Sequence, residues 1–343
     1  MILTALSSIN LSRAGSDFEP WIQKQNWDPA EDDLLEMLVE TYAKYNARLD
    51  FDEPFQQSKP VIGILTMDAT MFDEAAARMT EDEKQALGAD GLDEKDAFDH
   101  DHFIWEGSVN IVHYAGSWAV PIRYDLDDED LDELLASING VLFTGGAMPL
   151  VDHDTGEQST YYKTAKKIFN YAKRQKDQKN IDWPILGICQ GMEVLSYLVN
   201  NDAKDTLSNV VIYGQSTPLR WEVDSPSSES RLFAGFGQDL LDAMATQELL
   251  LQAHDWVVSR ETFDDHLSDF FTLLATDHKG EGADRKEFVM AYEAKDYPIF
   301  GTMFHPETAN RHVVGLGRDV LAGKVNNEVT DEINFRFSEF FHG

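Results

Sequence analysis

The sequence predicts an α/β fold in which a mostly parallel central sheet is flanked by helices on both faces. Three observations carry that expectation. Short, nearly all-apolar runs recur at Val61-Ile62-Gly63-Ile64-Leu65-Thr66, Ala119-Val120-Pro121-Ile122, Gly140-Val141-Leu142-Phe143 and Pro184-Ile185-Leu186-Gly187-Ile188. They lack the alternation of a half-exposed strand, so both faces of each must be covered. Helical patterns separate them, and a parallel pair needs such a crossover to bring the chain back.

Taken in order, residues 1–59 read as an N-terminal extension with one amphipathic helix. Asp28-Pro29-Ala30-Glu31 is a helix start, and Leu34, Leu35, Leu38, Val39, Tyr42 and Tyr45 follow at helical spacing. Pro54 and Pro60 bracket a linker, and the main domain spans 60–343. After the strand at 61–66, residues of about 72–102 form an acidic insertion rich in Asp, Glu and Ala. Helices are expected near 108–117, 128–137, 158–175 and 191–199, interleaved with the strands above. Beyond residue 205 the pattern changes to strand-like pieces near 208–213, 218–223, 248–252, 271–277 and 287–293. The apolar run 298–304 and an amphipathic helix near 329–341 close the chain.

With 28 Lys and Arg against 62 Asp and Glu, the net charge is −34. A surface so acidic repels phosphate backbones and anionic lipid, which argues against nucleic-acid binding and membrane-surface binding. No run approaches the roughly 20 apolar residues of a membrane helix, so no membrane insertion is expected. The N-terminus lacks the basic region of a signal peptide, which favours a cytoplasmic location.

A single cysteine rules out an internal disulfide. By residue type Cys189 would be a packed small hydrophobe. Its frame argues otherwise. Gly187-Ile188-Cys189-Gln190-Gly191 lies between a predicted strand and a predicted helix, the thiol version of the nucleophile elbow. Such a turn forces its central residue into strained backbone and lifts the thiol to a helix N-terminus, where the dipole favours thiolate. The Gln190 N–H is then placed to meet an oxyanion. Thr144-Gly145-Gly146-Ala147, after another buried strand, can bring further backbone N–H groups to a substrate oxygen.

Among ten histidines, His305 ends a buried apolar run, and ligand sites of open α/β sheets lie at strand carboxyl ends. It can take the thiol proton, and Glu307 can fix its tautomer. His254, in Gln252-Ala253-His254-Asp255-Trp256, reads either as a substrate ligand or as a core histidine. His100-Asp101-His102 has a ligand-like look but no second spaced pair, so a solvated loop is expected and no metal.

The stretch Gly187–Glu193 resembles the elbow of class I glutamine amidotransferases and their cysteine-peptidase relatives, and His305-Pro306-Glu307 is similar to their base-and-acid strand end. Within that superfamily the chain looks like the γ-glutamyl hydrolase family from about residue 60 onward. Ser137–Gly146, Tyr162–Phe169, His254-Asp255-Trp256 and Tyr292–Gly301 match in order. The resemblance implies the class I glutamine amidotransferase-like fold and hydrolysis of γ-glutamyl amide bonds through a thioester, with folylpoly-γ-glutamate or related γ-glutamyl peptides as substrate and no cofactor. It implies Cys189 as nucleophile, His305 as base, Glu307 as orienter, Gly146 and Gln190 as oxyanion donors, and Gly145, Glu193 and His254 as substrate neighbours. It also implies a lysosomal or secreted location, against the N-terminal reading.

Three features depart from the family pattern. Thr144 stands where a proline is common, Ser108 where a tyrosine is expected, and residues 1–57 and 72–102 have no counterpart. A polyglutamate substrate is anionic, so local cations must offset the net charge, and Lys163 and Arg220 are candidates. The alternatives are a glutaminase-type amidotransferase, a hydrolase of small γ-glutamyl amines, and a non-catalytic structural or interaction member of the family. The acidic extensions leave room for a homodimer or another protein partner.

Overall fold

The computed structural model describes residues 59–68, 102–151, 156–309 and 323–342. The expected N-terminal helix, His100, Asp101 and the rest of the acidic insertion before His102 lie outside the described residues.

The strands are β1 (Val61–Leu65), β2 (Met67–Asp68), β3 (His102–Phe103), β4 (Trp118–Ile122), β5 (Gly140–Phe143), β6 (Ile185–Ile188), β7 (Ser208–Thr217), β8 (Arg220–Trp221), β9 (Leu250–Val257), β10 (Phe271–Lys279), β11 (Lys286–Ala294) and β12 (Ile299–Thr302). The longer helices are α1 (Glu106–His113), α2 (Asp128–Ser137), α3 (Thr160–Lys179), α4 (Gln190–Val199), α5 (Gln238–Thr246) and α6 (Glu328–Glu339). Eight strands form one sheet in the order β4-β1-β5-β6-β12-β11-β10-β8. The run from β4 to β12 is parallel and the remainder antiparallel. Every residue of β5, β6 and β12 is buried, as their unbroken apolar runs require. α1 packs on β4 and β1, α4 on β5, β6 and β12, and α6 on α1.

The helix ends follow from local chemistry. Asp127 caps α2 by accepting from Asp130 N at 2.9 Å, and Ser159 caps α3 by accepting from Tyr162 N at 3.1 Å. α3 stops at Asn180, whose left-handed φ of 53° an asparagine tolerates. Asn327 and Thr330 form a reciprocal capping box at the start of α6. Along α3, Tyr161, Ala165, Ile168, Phe169 and Ala172 recur at helical spacing and are buried.

The second half holds what periodicity does not show. The pieces expected near 208–213 and 248–252 are longer, and they pair with each other as a separate antiparallel ribbon, β7–β9. The piece near 218–223 shrinks to the two residues of β8. The β7–β9 ribbon is tied to the end of β12, because His305 N donates to Leu251 O at 3.0 Å.

Candidate active site

The site forms where β6 and β12, adjacent and parallel, both end. Cys189 follows β6 with φ 51° and ψ −110°, a backbone that side-chain-bearing residues avoid. The neighbours hold it there. Cys189 N donates to Thr302 O at 2.7 Å, and Cys189 O accepts from Glu193 N at 3.1 Å. The flanking glycines are there for space. A Cβ at Gly187 would sit 2.6 Å from the Gly191 carbonyl carbon, and one at Gly191 would sit 2.2 Å from Phe143 O. Any larger residue would lift α4 off the sheet and open the turn.

His305 follows β12 and is nearly closed off from solvent. Its Nδ1 lies 2.7 Å from Glu307 Oε1, so the ring donates there and leaves Nε2 free. Nε2 and Glu307 Oε2 are buried without hydrogen-bond partners among the described residues. Burial alone would lower the His305 pKa, but the Glu307 carboxylate and Cys189 more than offset it and hold it well above the ordinary value. Cys189 and His305 meet across Gly145: a Cβ built there would lie 2.7 Å from His305 Cε1 and 3.3 Å from Cys189 Cβ. The Cys189 thiol donates to Ala253 O, 3.6 Å away on β9, and lies close enough to the His305 ring to act on it.

Gly145 and Gly146 begin the loop after β5. The Trp105 indole donates to Gly145 O at 3.0 Å. Gln190, 5% exposed, clamps the far side of the loop: its Oε1 accepts from Met148 N at 2.8 Å and its Nε2 donates to Met148 O at 2.7 Å. A Cβ at Gly146 would strike Met67 Sδ at 2.3 Å, so only glycine fits between that sulfur and the elbow. The N–H groups of Gln190, Gly191 and Met192 open α4, where no helical carbonyl lies four residues back. The loop and the helix start therefore bring backbone donors to the same strand ends as the thiol.

Glu193, one turn into α4, is 7% exposed. Burial and then the nearby Asp255 push its carboxyl up to about 8, against the opposing pull of His305. His254 differs from the substrate-ligand expectation. Its Nδ1 is 3.1 Å from Val210 O, its Nε2 is 2.8 Å from the Gln252 side-chain amide, and its ring meets Phe288 edge-on. Both nitrogens are engaged inside the protein, and burial followed by repulsion from His305 lowers its pKa to about 4. It supports the wall behind the site as a core histidine. Arg220 is likewise committed elsewhere, to Glu287 at 3.3 Å and Glu222 at 3.8 Å. His102 bonds Thr66 Oγ1 and takes the Arg123 Nε–H, and no metal-ligating cluster occurs among the described residues. The buried Ser108 hydroxyl has no hydrogen-bond partner.

Comparison with known proteins bears on the same segment. Residues 92–210 match the peptidase C26 family. Gamma-glutamyl hydrolase of Rattus norvegicus is 34% identical over 209 residues, 60% of this chain and 61% of that protein. The Homo sapiens gamma-glutamyl hydrolase is 32% identical over 210 residues, covering 61% of each chain. Gamma-glutamyl hydrolase 1 of Arabidopsis thaliana is 29% identical over 257 residues, 74% of this chain and 64% of that one. The chain thus spans about three fifths of the length of the curated relatives it matches. A solved glutaminase domain of Trypanosoma brucei CTPS, with bound acivicin, overlaps 83% of this chain and 94% of its own at 11% identity, with a TM-score of 0.45. The fold assignment stands on the order and direction of this chain's own strands.

Within the matched residues lie both glycine loops and the elbow, while His305 and Glu307 come after them. Sequence reasoning did not single out Tyr161, Tyr213, Trp105 or the carbonyls of Ala253 and Thr302. Tyr161 is buried with an unpartnered hydroxyl close enough to feel Glu193. Tyr213 pairs with Ala253 across the β7–β9 ribbon. Only the ribbon's register brings Tyr213 to the thiol, and no local motif marks it.

Proposed function

We propose that the chain is a cysteine-type γ-glutamyl hydrolase. The observation that supports this reading is a lone cysteine at a strained strand-helix turn, against a buried histidine whose other nitrogen meets a carboxylate. Cys189 Sγ attacks the γ-carbonyl carbon of a γ-glutamyl amide while its proton passes to His305 Nε2. The carbonyl oxygen becomes an oxyanion, which the N–H groups of Gly146 and Gln190 hold. The C–N bond breaks, His305 returns the proton to the leaving amine, and a γ-glutamyl thioester remains on Cys189. Water, deprotonated by His305, attacks the thioester and frees glutamate and the thiol. Glu307 keeps Nδ1 protonated throughout and stabilises the imidazolium. Gamma-glutamyl hydrolases among the relatives, and the match to the peptidase C26 family, support the choice of bond.

The test is hydrolysis of a γ-glutamyl panel, including polyglutamyl folate and free glutamine, by wild type and Cys189→Ala. Turnover in the wild type that falls by about 1000-fold or more in the variant is expected. No turnover by the wild type between acidic and neutral pH would sink the hydrolase reading.

A further inference from the structure

We infer that Asp255 sets the leaving-group specificity of this site, favouring γ-glutamyl amides whose amine carries a positive charge. The inference rests on the hydrolase reading above and names the substrate class within it. Ala253 places its carbonyl against the thiol, and Asp255 follows two residues later on the same strand. Residues two apart on a strand share a face, about 7 Å apart. Asp255 is exposed, about 7 Å along β9 from the residue whose carbonyl meets the thiol. Tyr213 stands opposite Ala253, and burial, then the Asp255 carboxylate, then Cys189 and Glu193 raise the pKa of its phenol.

A second carboxyl points the same way. Glu193 is 7% exposed, lies close enough to His305 and Asp255 to feel both, and has no side-chain hydrogen-bond or ion-pair partner among the described residues. A buried carboxyl left unpartnered is costly unless a ligand group completes it. One exposed aromatic ring, Tyr213 at 44%, lies across the ribbon from Ala253, and such a ring favours a cation over an anion. Among the described residues, two lysines beside the ribbon are tied to its backbone. Lys279 Nζ is bonded to Val211 O, and Lys286 Nζ is 3.5 Å from Asn209 O. A leaving amine with a distal ammonium would meet Asp255, with Glu193 nearby. A leaving group bearing a carboxylate, as in a polyglutamate, would meet the Asp255 carboxylate.

Three probes of nearly equal length separate charge from shape: γ-glutamylputrescine with a distal ammonium, γ-glutamylpentylamide with none, and γ-glutamyl-4-aminobutyrate with a distal carboxylate. We expect kcat/KM to fall in that order by about tenfold or more from first to last. The ratio of first to last should collapse towards one in Asp255→Asn and invert in Asp255→Lys. Because the readout is a ratio within each variant, partial unfolding cannot mimic it. A wild type that prefers the carboxylate, or a ratio that Asp255→Asn leaves unchanged, would overturn the inference while the hydrolase reading survived. If none of the γ-glutamyl amides turns over, the hydrolase reading fails and takes this inference with it.

Discussion

Glu193 makes the residue scale of this site measurable, because its carboxyl is pushed up to about 8 while an ordinary glutamate sits at 4.5. Below about pH 4.5 the group is protonated in folded and unfolded chains alike and has no effect on stability. As pH rises the unfolded chain ionises first, so the native state loses stability steadily until the folded group ionises near pH 8. Glu193→Gln removes that loss. In urea unfolding, the stability advantage of the variant over wild type should grow between about pH 4.5 and pH 8 and then level off, reaching a few kcal/mol at most. A difference that does not vary with pH would mean that Glu193 titrates normally. His254 works in the opposite sense: its pKa is lowered to about 4, so it weakens the fold as pH falls from about 6.5. That term is common to both proteins and cancels in the comparison. The residue identities of the thiol and its base were legible in the sequence because their chemistry leaves a frame: glycines around Cys189, and an apolar run before His305. The environment of Glu193 was not, because its burial depends on β9 and β12, which lie far from it in sequence.

At the scale of elements, the loop after β5 and the start of α4 are joined by one side chain. Gln190 replaces a strand partner for Met148, taking its N–H and supplying an N–H to its carbonyl. Gln190→Ala would leave both backbone groups of a buried loop unpaired, at about 1–3 kcal/mol in stability. It would also release the segment that carries Gly145 and Gly146. We therefore expect kcat on a γ-glutamyl substrate to drop by about tenfold or more, with urea unfolding reporting the stability change. A loss of stability with kcat unchanged would show that the loop needs no clamp. The helices and the strands β1, β5 and β6 of the first half agree with the sequence reading because a buried parallel strand has only one apolar signature and a capped amphipathic helix another; β4 does not, since it lies at the sheet edge with Trp118 and Pro121 exposed. The β7–β9 ribbon escaped that reading for a physical reason. Its residues alternate irregularly, with register shifts between Asn209 and Ile212 and between Tyr213 and Gln215, so no clean period of two survives.

For the whole molecule, the charge of −34 sets the long-range field that any substrate crosses. An anionic γ-glutamyl peptide is repelled at low ionic strength. Its kcat/KM should rise several-fold as salt goes from about 0.01 M to about 0.15 M, over which the screening length falls from about 30 Å to about 8 Å. A cationic γ-glutamyl amide should show the reverse trend, and initial rates across a salt series measure both. A fall for the anionic substrate would mean that local cations outweigh the global charge.

By itself the sequence determined the alternation of strands and helices, the nucleophile with its glycine frame, and the acid-base pair at the end of the last strand. These are local, since turn geometry, capping and buried apolar runs write themselves into consecutive residues. Only the tertiary structure decided that β6 and β12 lie side by side, so that residues 189 and 305 meet across Gly145. It alone turned His254 inward and brought Asp255 and Tyr213 close to the site. Those outcomes depend on strand order and on which face of the β7–β9 ribbon meets the sheet, and long-range packing, which no short stretch of sequence encodes, fixes both.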